Sequence, residues 1–359
     1  MQEIIDYEIR TEAIDFSFGE LLNLHNSGEI IIRPEYQRLF RWSTEQRSRL
    51  IESVLLKLPL PPIFLIEDEN GVLELIDGLQ RTSSVIQFMD CNAIHEPELV
   101  LTGCDIVNEL NGKRFDDFST TIRFGLKRTP IRAIVIKKSG NDRVKYEMFK
   151  RLNTGGALLS AQEIRNCSSR MIEGGAEFYT ELQNLATHAS FVMASQRIPS
   201  GDKEQKADEE LVLRFFAVTS SRSTFSGNVR EWLDGFMETL LFDRELHQLL
   251  FDGAPQNIDS KLFKDFFDFI ADKFQGDAFC RWKDGSAIGR LAPAYFEAVC
   301  GGLVDIYQGL KSKDSHLLQD ALQAAFEDDR FQDATGPGAN NKTKMEARIA
   351  VLREYFEKL

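Results

Sequence analysis

The texture of this 359-residue chain changes once, and that change limits the folds open to it. In the first 165 residues, short β-type runs alternate with helical segments. From about Ala161 onward no convincing strand can be picked out. "DEELVLRFFAVTS", "VREWLDGFMETLL", "SKLFKDFFDFIADKF", "LAPAYFEAVCGGLVDIYQGL" and "KMEARIAVLREYFEKL" all carry apolar residues at helical spacing. The pattern predicts an α+β N-terminal domain, a small mixed sheet with helices, over residues 1–165. An all-α helical domain over residues 166–359 follows. Many of the 27 phenylalanines lie in the helical half, where their default role is helix packing. "SQRIPSGDKEQKADEE" and "DATGPGANNKTK" read as polar connectors.

Within the first half, "SGEIIIRP" reads as a short strand ending at Pro34, and "STEQRSRLIESVLLKL" as a helix. Ser43 with Gln46 makes a capping box there, and Leu50, Ile51, Val54, Leu55 and Leu58 form one apolar stripe. "PPIFLIED" and "GVLELID" read as strands joined by a turn at Glu69-Asn70-Gly71, and "TPIRAIVIKK" as a further strand. "NDRVKYEMFKRL" is a helix capped by Asn141, and Ser160 with Glu163 makes a second capping box.

Composition removes several classes of function. The N-terminus has no apolar signal-peptide core, and no apolar run approaches the 18 or so residues of a membrane span. The five cysteines are widely spaced with no Cys/His cluster, which points to free thiols in a reducing cytoplasm and no structural zinc. The net charge of -13 is unevenly placed. Residues 61–120 hold 3 basic and 12 acidic side chains, whereas residues 121–170 hold 12 basic and 3 acidic, a local +9. That basic segment is the candidate for touching DNA phosphate, although a solvated face would look the same.

The stretch "LELIDGLQRTSSVIQF" carries the chemistry. A strand ending at Asp77-Gly78 and feeding a helix near Gln80 aims backbone N–H groups at one point, and the helix dipole makes that point an anion site. Gly78 lets a phosphate approach the backbone, Arg81 adds a fork of donors, and Thr82 and Ser83 add hydroxyls. Asp77 has three sensible roles: orienting Arg81, holding magnesium, or positioning a water. A plain turn with a surface ion pair is the bland alternative. Two further loops carry an arginine with an amide or hydroxyl partner: Tyr36-Gln37-Arg38, and Arg151 with Asn153 and Thr154. Convergence of the three would make a nucleoside triphosphate pocket.

In their order, "RPEYQRLFRW", "PLPPIFL", "ELIDGLQRTSSVIQF" and "FKRLNTGGALLSAQEIRN" resemble the N-terminal domain of GmrSD-type (type IV) restriction enzymes, a branch of the ParB/sulfiredoxin superfamily. The likeness covers about residues 15–170. It extends more weakly to "DEELVLRFFA" and "NNKTKMEARI". It implies a phosphate-binding turn at Gly78, Gln80 and Arg81, a first box at Tyr36, Gln37 and Arg38 beside the nucleotide, and a third box in which Asn153 helps Asp77 place Mg2+. It also implies a magnesium-dependent NTPase, with Asp77, Gln80 and Arg81 catalytic, serving as a sensor in prokaryotic phage defence. The family turn is Asp-Gly-Gln-Gln-Arg, and here Leu79, packed inward, replaces the first Gln. Such enzymes often add a His-Asn-His nuclease, yet His25, His95, His188, His247 and His316 form no such pattern, so a separate nuclease or effector is the expected partner. Two alternatives remain open. One is a DNA- or phosphate-binding module without turnover. The other is a nickase or nuclease using Asp77 with Asp116 or Asp117 as metal ligands. The base is not encoded in any visible feature, and Trp42, Trp232 and Trp282 suit core packing better than base stacking.

Overall fold

The computed structural model describes residues 11–32, 42–68, 70–137, 146, 150–151, 160–169, 172, 174–242, 259–283 and 286–359. The chain separates into two compact units, Met1–Gly155 and Gly156–Leu359. The helix from Ala161 thus belongs to the second unit, whereas the texture of the sequence puts the join near residue 165.

The first unit is built on a five-stranded mixed sheet of β1 (Thr11–Ser17), β2 (Ile30–Ile31), β3 (Ile63–Glu67), β4 (Leu73–Asp77) and β5 (Pro130–Ile136), in the order β1-β5-β3-β4-β2. β1 runs antiparallel to β5 and β3 antiparallel to β4, while the β3/β5 and β4/β2 pairs are parallel. The central strands are apolar because both their faces are covered: Ile63, Leu65, Ala133 and Val135 are fully buried on one face, and on the other Ile66 and Ile136 are buried with Phe64 and Ile134 half-buried. Among the described residues, α-helices with defined bounds accompany the sheet: α1 (Phe18–Asn26), α2 (Thr44–Leu55), α3 (Leu79–Met89) and α4 (Thr120–Arg128). Ser43 and Gln46 do form a capping box on α2, and Leu50, Ile51 and Val54 are buried. The expected stripe breaks at its end: α2 stops at Leu55, so Leu58 lies beyond the helical period and is exposed. β1, α1 and α4 were not read from the sequence.

The second unit is largely helical: α5 (Ala161–Ser169), α6 (Gly175–Ala186), α7 (Ala189–Ala194), α8 (Ser200–Glu204), α9 (Ala207–Ser220) and α10 (Val229–Phe242) come first. Then follow α11 (Ser260–Phe274), α12 (Pro293–Leu303), α13 (Tyr307–Leu310), α14 (Ser315–Glu327), α15 (Asp329–Thr335) and α16 (Lys342–Phe356). Two expectations are corrected. A short antiparallel hairpin, β6 (Arg281–Lys283) with β7 (Ser286–Ile288), interrupts the helices, and each strand is too short to show a period of two. The "SQRIPSGDKEQKADEE" stretch is no loose connector: Ile198 is buried, and α8 and the start of α9 arise from it.

Two features hold this unit together. Phe191, Phe215, Phe263 and Phe267 pack in the core with ring centroids 4.4–5.5 Å apart in most pairs. Through the same core runs a chain of alternating charges, Asp234–Arg165–Glu210–Arg214–Glu297–Arg348, drawn from α5, α9, α10, α12 and α16. Arg165, Glu297 and Arg348 are almost wholly removed from solvent, which is tolerable only because each has a counter-charge. Burial opposes ionisation of Glu210, but Arg214 and then Arg165 outweigh it and hold its carboxyl below the usual range. All five cysteines are free, and burial pushes the Cys280 thiol up to about 11.

Candidate anion site at a strand-to-helix turn

β4 leaves the sheet at Asp77, and Gly78 turns the chain into α3 with φ 97° and ψ 12°. That left-handed backbone favours glycine, and the packing demands it as well. A Cβ there would lie 2.4 Å from Cγ2 of Ile63 on the adjacent strand. Gly78 is the N-cap, so no side chain satisfies the first turn of α3; the Thr82 N–H takes the Gly78 carbonyl at 2.9 Å. An uncapped helix start leaves N–H groups and the positive end of the dipole for some other acceptor.

Arg81 stands over this turn. Its Nη2 donates to Oδ2 of Asp77 and to the Pro62 carbonyl, each at 3.0 Å. Asp77 therefore does orient Arg81. Among the described residues, Nε of Arg81, Oγ1 of Thr82 and Oγ of Ser83 are buried without a hydrogen-bond partner. Ser84, one residue on, donates to the Gln80 carbonyl in the ordinary way. A buried polar group with no partner costs about 1–3 kcal/mol, so three of them in one helical turn need a reason. Leu79, beside Gly78, packs against the core of the unit.

One neighbouring loop reaches the site through its end. The Trp42 N–H donates to Oε1 of Gln80 at 3.1 Å, and Arg47 ties the Trp42 carbonyl and Oε1 of Gln87 together from α2. This clasp is invisible to local pattern, because it depends on the two backbone groups of Trp42. Tyr36, Gln37, Arg38, Asn153 and Thr154 lie outside the described residues, as does most of the helix expected from Asn141, of which Tyr146, Lys150 and Arg151 are described and helical. Arg151 is exposed. The structure thus brings together Asp77, Gly78, Gln80, Arg81, Thr82 and Ser83 with Trp42. No three or more His, Cys, Asp or Glu side chains gather as a metal site among the described residues. Magnesium asks for less when phosphate oxygens and waters fill most of its shell, and Asp77 keeps one carboxylate oxygen clear of Arg81.

The basic segment is partly spent on the protein itself. Arg132 pairs with Asp15, Lys137 with Glu12 and Glu67, and Arg123 with Asp116, while Arg165 lies inside the helical unit. Two histidines serve structure: both ring nitrogens of His25 meet backbone carbonyls, and His188 pairs with Asp268, while His247 lies outside the described residues. Trp42 packs against the core and Trp232 is buried against Phe225. No helix among the described residues is long and apolar enough to cross a membrane.

The mixed sheet thus feeds an uncapped helix start beside which Arg81 is held. Residues 18–169 match the family described as GmrSD restriction endonuclease, N-terminal domain, and this part of the chain is a domain of that family. The match places the protein in a restriction-like, phage-defence setting. No curated protein and no solved structure matches the chain.

Proposed function

We propose that the Gly78 turn binds the phosphates of a nucleoside triphosphate and that the protein is a magnesium-dependent NTPase sensor in a phage-defence system. One observation carries the reading: three buried, unpartnered polar atoms on Arg81, Thr82 and Ser83 beside a helix start that nothing caps. A phosphate is the group that would satisfy all of them at once. Arg81, held by Asp77, would stabilise charge on the transferred phosphoryl group, and Gln80 would place the first loop through Trp42. Tyr36, Gln37 and Arg38 would flank the nucleotide on one side, with Arg151, Asn153 and Thr154 on the other. The bound magnesium would neutralise phosphate charge, with Asp77 and Asn153 as its protein partners. The helical unit would then report the loaded state to a separate nuclease or effector.

Equilibrium binding of ATP, GTP, CTP and UTP with magnesium tests this directly. At least one should bind, and Arg81→Ala should weaken it by roughly 10- to 100-fold, the worth of a charge-assisted hydrogen-bond pair. Failure of all four on the wild-type protein ends the reading. Phosphate release separates an NTPase from a binding module, and supercoiled plasmid that stays intact separates it from a nickase.

A further inference from the structure

The helical unit contains a cavity of about 510 Å³, within the range of small-molecule sites. Ile198, Leu211 and Leu291 form buried apolar walls, with Ala207 and Pro293 beside them. The cavity is preformed. The Leu291 N–H donates to the Arg197 carbonyl at 3.1 Å, and the Ala292 N–H to the Phe279 carbonyl at 2.9 Å. Arg197 in turn grips Asp277 through two nitrogens.

The charges around the cavity are unbalanced. Arg281 and Arg290 both line it and both are exposed, yet neither has an ion pair or side-chain hydrogen bond among the described residues. Two carboxylates also line it. Glu210 is already engaged on both oxygens, by Arg214 and Arg165. Asp202 is left as a single free carboxylate against two free guanidiniums. In a protein of net charge -13, with acidic partners in excess, two idle arginines at an apolar cavity are unusual.

We propose that this cavity is a second ligand site, for an amphipathic organic anion whose apolar body lies against Ile198, Leu211 and Leu291 and whose anionic head meets Arg281 and Arg290. The site shares no residue with the Gly78 turn, so either can fail alone. A ligand seated here would also touch Glu210, the carboxylate that joins two arginines of the buried charge chain.

The test uses the full chain and two dyes with the same ring system: anilinonaphthalene sulfonate, and N-phenylnaphthylamine, which lacks the sulfonate. The sulfonate should bind one to one with a blue-shifted emission and at least 10-fold more tightly than the neutral dye. The double variant Arg281→Ala/Arg290→Ala, altered only at exposed positions, should abolish that preference without moving the thermal midpoint. Ala207→Phe, which fills the cavity, should weaken both dyes. Displacement by decanoate alone assigns an aliphatic carboxylate, and displacement by adenosine monophosphate alone assigns a flat phosphate ester. Equal binding of the two dyes, an unaltered double variant, or displacement by neither competitor overturns the proposal.

Discussion

The two units differ in how their buried polar side chains are met. In the helical unit Arg165, Arg214 and Arg348 each meet a buried or half-buried carboxylate and so are part of the fold itself, although Nε of Arg214 and of Arg348 has no hydrogen-bond partner among the described residues. In the N-terminal unit Thr82 and Ser83 are just as buried, yet their hydroxyls have no partner among the described residues. Matched burial builds structure; unmatched burial next to a helix start is what the proposed phosphate would satisfy.

Breaking the charge chain should have the largest effect. Glu297→Ala strands Arg348 in the core and leaves Arg214 with Glu210 alone, and should destabilise the protein by about 3–5 kcal/mol in urea unfolding. Gly78→Ala should cost about 2–4 kcal/mol, since it adds left-handed strain to a clash with Ile63. Acid should weaken the helical unit by a route of its own. The folded carboxyl of Glu210 lies below its unfolded value, so its contribution is complete above about pH 4.3 and is lost as pH falls through the folded value. An unfolding midpoint followed from pH 6 to pH 2 should show the fall, and Glu210→Gln should flatten it.

The sharpest contrast comes from a smaller change. Thr82→Val removes an unpartnered hydroxyl with little change of shape, so it should raise stability by up to about 1 kcal/mol while weakening nucleotide binding. A loss of stability instead would mean that the hydroxyl is already satisfied, and the comparison between the units would collapse. At the bottom of the scale, Arg132→Ala removes an exposed pair with Asp15 and should leave the unfolding midpoint where it was.

The features that were legible share a cause. Both capping boxes, Ser43 with Gln46 and Ser160 with Glu163, close over three residues and form as read. β1 went unread because only Phe16 of its seven residues is buried; pairing with β5, more than a hundred residues away, makes it a strand. α4 is similar, with Leu126 its one buried residue. The charge chain does leave a trace in the sequence: Arg214 in "LVLRFFAV", Glu297 in "AYFEAVC" and Arg348 in "ARIAVL" are lone charges inside apolar helical runs.

By itself, the sequence determined the division into a mixed α/β part and a helical part, and the glycine exit from β4 into α3, because periodicity and turn chemistry act within a few residues. Tertiary structure alone decided that Pro62 and Asp77 hold Arg81, that Trp42 clasps Gln80, and that Arg281 and Arg290 stand idle over a cavity. Whether a buried donor finds an acceptor depends on groups tens of residues distant, and local chain statistics carry no record of them.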